Sequence, residues 1–111
     1  MKPHEIAACV KKMFTEHPEK FHKYEFFGGD GRCCTLGAAI LCVAPDWSQD
    51  NDETQEEMGS SRLLRPVYDF QNTFKNVVGD HVDLVNDREG LPAILVGLEK
   101  VIEDGLKNET H

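Results

Sequence analysis

The sequence has no long hydrophobic run and no segment that looks like a secretory leader. Its longest apolar stretch, residues 36–45, is about half the length that a membrane-spanning helix needs. The apolar residues that follow the charged start, Ile6 to Val10, are too few and too mixed for the centre of a signal peptide. We therefore expect a protein that spans no membrane, carries no export signal and resides in the cytoplasm.

Regular cysteine spacing is also missing. None of the four cysteines forms a Cys-x-x-Cys pair, so the spacing of zinc-binding and thioredoxin-like motifs is absent. They are Cys9, Cys33, Cys34 and Cys42. Because the cytoplasm keeps thiols reduced, we predict four free cysteines and no disulfide. The histidines and cysteines show no ligand spacing, so we predict no metal site and no cofactor.

Basic residues are scarce. The chain has 12 lysines and arginines against 20 aspartates and glutamates, a formal net charge of −8. This charge discourages binding to nucleic acid or anionic lipid, because both carry negative phosphates. It is compatible with solubility alone or with a basic protein partner.

Six carboxylates cluster between residues 46 and 57, where no lysine or arginine occurs. They are Asp46, Asp50, Asp52, Glu53, Glu56 and Glu57. The segment lacks the central glycine and the closing glutamate of an EF-hand, which excludes that type of calcium loop. We predict an exposed acidic loop over residues 46–61. It is either a solvated connection or a patch that attracts a basic protein partner.

The hydrophobic pattern predicts helices in one domain that covers residues 1–111. Apolar residues three and four apart indicate a first helix over Pro3–His17 and a third over Ser61–Val78, closed by Gly79. The segment Cys33–Ala44 is apolar nearly all round, which is typical of a buried central helix. A last helix should follow a cap at Asn86-Asp87. Its predicted apolar stripe consists of Leu91, Leu95, Leu98, Ile102 and Leu106.

Two segments favour short strands. Phe21–Phe27 is aromatic without a helical period, and Asp80–Val85 alternates polar with apolar residues. The sequence therefore predicts a mainly helical α+β fold: about four helices around the buried central helix, with a minor pair of short strands. We expect residues 108–111 to form a frayed tail.

Two sequence motifs resemble a family of uncharacterised domains from actinobacteria and their phages. The first is the helix start Cys34-Thr35-Leu36-Gly37-Ala38, and the second is the turn Asn86-Asp87 before the last helix. Val85 stands where members of the family often have tryptophan. The resemblance implies an origin in a phage or mobile element and a host-directed role, and it implies no activity.

One set of residues could carry chemistry. A cysteine at a helix N-terminus, Cys33 or Cys34, has its thiolate favoured by the helix dipole. His81 could accept its proton, and Asn86 or Asp87 could orient that histidine, as in papain-like enzymes. Against this hypothesis, a buried cysteine and a helix cap explain the same residues. We favour a non-enzymatic interaction protein; the alternative is a small thiol-dependent hydrolase or amidase.

Overall fold

The computed structural model describes residues 1–21, 34–45 and 65–109, and these residues form five α-helices and one short 3-10 turn. The helices are α1 (Pro3–Glu16), α2 (Thr35–Val43), α3 (Arg65–Val78), α4 (Val82–Arg88) and α5 (Leu91–Glu109), and the 3-10 turn is Pro18–Lys20. The first helix and the described parts of the predicted second and third helices confirm the helices expected from the hydrophobic pattern. Helix α2 is buried over residues 35–40, but the prediction that the other helices surround it is wrong, because the most extensive interface joins α1 to α5.

Proline and glycine residues set several helix ends. Pro3 opens α1, where a missing N–H costs nothing because the first helical N–H groups have no partner within the helix. His17 ends α1 directly before Pro18. Gly79, with a φ of 93°, ends α3, and Gly90, with a φ of 85°, separates α4 from α5. Both adopt the left-handed backbone conformation that glycine allows at little cost.

The core lies between α1, α3 and α5, with α2 and α4 packed at one side. The most extensive interface joins α1 to α5; α1 also packs on α2 and α3, and α3 packs on α5. Each of these helices turns one apolar side inward. The largest fully buried side chains include Ile6, Val10 and Phe14 of α1, Leu36 and Ile40 of α2, Val67, Phe70 and Phe74 of α3, and Ile94 and Leu98 of α5.

A glycine lets α5 approach α3 closely. A Cβ atom added at Gly97 would lie 2.6 Å from Cζ of Phe74 and 3.3 Å from Cγ2 of Val78. Real side chains do not pack this closely, so any larger residue would push the Phe74 ring out of its place.

The predicted strand pair is wrong. Within the described ranges the chain contains no strand, and most of the predicted strand Asp80–Val85 belongs to helix α4. Val82 and Val85 in this segment are three residues apart and therefore lie on one side of the helix, where both are buried. Most of the other predicted strand lies outside the described residues. Asn86 and Asp87 lie inside α4 and do not cap α5.

The prediction of four free cysteines is also wrong, because Cys9 and Cys42 form a disulfide. Cys9 lies on α1 and Cys42 on the last turn of α2, with their Cα atoms 6.2 Å apart, which is within the usual range for a disulfide. The prediction used the expected compartment and the sequence spacing. Neither reveals that the packing of α1 on α2 brings these two positions together. Cys34 is a free thiol.

The last helix differs from its predicted apolar stripe. The residues of α5 that are fully buried are Ile94, Leu98 and Val101, whereas Leu106 is 52% exposed. The inward side is therefore rotated from the predicted one, because α5 packs between α1 and α3 and not against one neighbour. Asn108, expected in a frayed tail, lies in the last turn of α5. Over the described part of the chain, no helix is long and apolar enough to cross a membrane.

Candidate functional site

The two motifs singled out in the sequence meet at the N-terminus of α2. The side-chain Oδ1 of Asn86 on α4 accepts two hydrogen bonds from Thr35, from the backbone N–H at 3.0 Å and from Oγ1 at 2.7 Å. Thr35 is fully buried and Asn86 is 1% exposed. Nδ2 of Asn86 in turn donates to a carboxylate oxygen of Asp87 at 2.9 Å.

This contact completes the capping of α2. The first N–H groups of any α-helix have no acceptor within the helix. At α2 the residue before the helix, Cys34, accepts a hydrogen bond from the Gly37 N–H through Sγ, at 3.4 Å. Asn86 accepts from the Thr35 N–H, although it lies 51 residues further along the chain. The helix terminus is therefore satisfied by the protein's own side chains, including one from a distant helix.

The environment of Cys34 keeps its thiol protonated. The residue is 7% exposed. Burial raises the pKa of the thiol above its ordinary value of 9.0, and the negative charge of Asp87 raises it further. Hydrogen bonds from the backbone N–H groups of Gly37 and Leu36 lower this pKa, but they only offset part of the effect of burial. A thiol in this state is a weak nucleophile at neutral pH.

His81 occupies a different environment. It is the exposed residue that precedes α4, and its backbone N–H donates to Oδ1 of Asp80 at 2.9 Å. Among the residues that the structure describes, no hydrogen bond joins its imidazole to Cys34. The structure thus brings Cys34 together with Asn86 and Asp87, and within the described residues it shows no hydrogen bond between the thiol and a histidine.

Sequence reasoning missed Thr35, which makes the contact that joins the two motifs. The signal was present, because Thr35 is the single polar side chain in the otherwise apolar segment from Cys33 to Ala44. A buried hydroxyl needs a hydrogen-bond partner, and a distant asparagine supplies it. Cys33 and all six residues of the predicted acidic patch, from Asp46 to Glu57, lie outside the described residues.

The described surface includes two grooves beside α1. One of about 420 Å³ lies between α1 and α5 and is lined by Ala8, Lys11, Lys12, Thr15, Glu16, Glu99 and Ile102. Lys11 and Glu99 form an ion pair between the two helices. The other, of about 290 Å³, lies beside the start of α1 and is lined by residues that include His4, Thr73 and Asp104. In the described ranges, no group of three histidine, cysteine or acidic residues has an arrangement that could hold a metal ion.

Comparison with known proteins adds no relative to this picture. No protein-family model, no curated protein and no solved structure matches the chain. The resemblance to the actinobacterial and phage domains stays a prediction.

Proposed function

We propose that this chain is a non-enzymatic interaction protein that acts in the cytoplasm and binds a basic protein partner through the acidic residues between Asp46 and Glu57. Its resemblance to phage domains suggests that the partner belongs to a bacterial host. The proposal includes no role for nucleic acid, since the net charge of −8 opposes contact with phosphates.

The distribution of charge along the chain carries the proposal. The described ranges contain 12 acidic and 9 basic residues, a net charge of −3. Residues 46–64 contain six acidic residues and one arginine, so they alone contribute −5 of the total of −8. A chain that needed only solubility could carry this charge evenly on its helices. Concentrated charge increases the association rate with an oppositely charged partner.

The state of Cys34 argues against the alternative, a thiol-dependent hydrolase. A nucleophilic cysteine needs a lowered pKa or an adjacent base. Cys34 is buried, its pKa is raised, and its sulfur accepts a hydrogen bond from the start of its own helix. Asn86, the candidate for orienting a catalytic histidine, is instead hydrogen-bonded to Thr35.

Partner capture by two matched variants tests the proposal. The first neutralises Asp50, Asp52, Glu53 and Glu56 to Asn or Gln. The control neutralises four carboxylates of the helical body, Glu16, Asp83, Glu89 and Glu103, so that both variants lose the same charge. Tagged proteins are used to capture partners from a bacterial lysate at low salt.

We expect the first variant to lose the basic proteins that the parent captures and the control to retain them. The difference should shrink as salt rises, because salt screens exposed charges. Equal loss by both variants would mean that only net charge matters. Retention by both would remove the acidic patch as a binding surface.

A further inference from the structure

We propose that the Cys9–Cys42 disulfide is a redox-responsive tether, which a small thiol reductant such as glutathione opens. Its opening frees the last turn of α2 while the first turn stays fixed. Three observations support this inference: the placement of the two cysteines, the uneven anchoring of α2, and the contrast with Cys34.

The disulfide is within reach of solvent, unlike the free thiol. Cys9 and Cys42 are both half-buried, whereas Cys34 is buried. Thiol exchange requires access to a sulfur atom, so a reductant reaches the bridged pair before it could affect Cys34. The protonated state of Cys34 also keeps it from attacking the bridge as an internal thiol.

The two ends of α2 are held differently. Residues 35–40 are all buried, and the hydrogen bonds from Thr35 to Asn86 fix the first turn against α4. Residues 41–43 pack on the core but are only half-buried, and the disulfide is the covalent connection between this end and α1. Loss of the bridge therefore removes a main restraint at one end and leaves the anchor at the other.

The exchange reaction balances without any group beyond the reductant. A glutathione thiolate attacks one sulfur of the pair, the S–S bond breaks, and the other cysteine leaves as a thiolate that takes up a proton. A second glutathione thiolate then attacks the mixed disulfide and releases the first cysteine. Two electrons pass from two glutathione thiols to the protein, and the products are oxidised glutathione and two protein thiols.

A cytoplasmic location makes a reversible disulfide the expected kind. Disulfides in cytoplasmic proteins are usually transient, with redox-sensing or catalytic roles. This step rests on the cytoplasmic location in the proposed function, whereas the uneven anchoring of α2 rests on the geometry alone. Amide exchange needs only the purified chain, so the tether can be refuted or supported independently of partner binding.

Amide hydrogen exchange on the full chain, followed in oxidised and in excess reduced glutathione, tests the tether. On reduction we expect the amide of Ala44, which donates to the Ile40 carbonyl, to exchange at least ~10-fold faster. The amide of Ala38, which donates to the Cys34 carbonyl, should change less than ~3-fold. Mass spectrometry after alkylation should show that only Cys9 and Cys42 change state.

Cysteine variants distinguish local opening of the last turn of α2 from a general loss of stability. Cys9→Ala and Cys42→Ala should show the fast exchange at Ala44 without reductant, and Cys34→Ser, which keeps an acceptor at the start of α2, should respond as the parent does. The melting temperature should fall by roughly 10–15 °C on reduction, as expected for opening a loop of this size. Equal acceleration along all of α2, no acceleration at Ala44, or unfolding of the reduced chain at room temperature would overturn the proposal.

Discussion

Replacing Asn86 by Ala should destabilise the protein far more than its position on a short seven-residue helix suggests. The substitution removes the acceptor of two hydrogen bonds from Thr35, whose N–H and hydroxyl are fully buried. A buried donor left without a partner costs about 1–3 kcal/mol. Two such donors, with a small cavity, predict a loss of about 3–5 kcal/mol in the free energy of unfolding.

Urea denaturation followed by circular dichroism measures this loss, with Asn76→Ala as the matched control. Asn76 is exposed on α3, so its replacement should change stability by less than about 0.5 kcal/mol. A double-mutant cycle then isolates the contact. In a Thr35→Val background the hydroxyl is already gone, so Asn86→Ala should cost about 1 kcal/mol less than in the parent. A loss equal to that of Asn76→Ala would refute the buried junction between α2 and α4.

Three further outcomes follow from the same packing. Leu36→Ala should lower the free energy of unfolding by about 2–5 kcal/mol in urea denaturation, and Leu106→Ala, at an exposed site, by less than about 1 kcal/mol. Gly97→Ala should cost about 1–3 kcal/mol in the same assay, because the added methyl group overlaps a phenylalanine ring. Iodoacetamide should label Cys34 slowly at neutral pH, and the labelling rate should still be rising with pH at 9.0, since the pKa of the thiol is raised above that value. His81→Ala should leave that rate unchanged. Fast labelling of Cys34 in the parent that is lost in His81→Ala would favour the hydrolase.

The sequence predicted the helices well where a long apolar pattern met a clear end signal. Pro3 and Pro18 bracket α1, and Gly79 closes α3, so both helices agree with the prediction within the described residues. These signals are local, because they depend on backbone conformation and on the hydrogen-bonding groups of the first and last turns.

Short segments were harder to predict, because a segment of a few residues can fit both the two-residue period of a strand and the roughly 3.6-residue period of a helix. Val82 and Leu84 fit one face of an alternating strand, whereas Val82 and Val85 fit one side of a helix. What decided between them was tertiary packing, which buries both residues in the helix α4. The same limit applies to α5, whose inward side depends on two neighbouring helices and not on its own pattern.

The candidate site was also predicted only in part. The sequence identified Cys34, Asn86 and Asp87 as residues of interest, and the structure places them together. The sequence also suggested that His81 could join them. Its position in the sequence did not show that it is an exposed residue before the first turn of α4. The partner of Thr35 and the partner of Cys9 both lie more than 30 residues away along the chain. Such contacts follow from the packing of whole helices and leave no local signal.

The proposed function can be tested most directly by the rate at which the chain associates with a captured partner, measured as salt is varied. We predict that neutralising Asp50, Asp52, Glu53 and Glu56 lowers the association rate constant at low salt by about 10-fold or more, and that neutralising the four control carboxylates of the helical body does not. The rates of the parent and the variant should converge at high salt. An association rate that is the same for parent and variant at low salt would contradict the claim that these carboxylates guide binding.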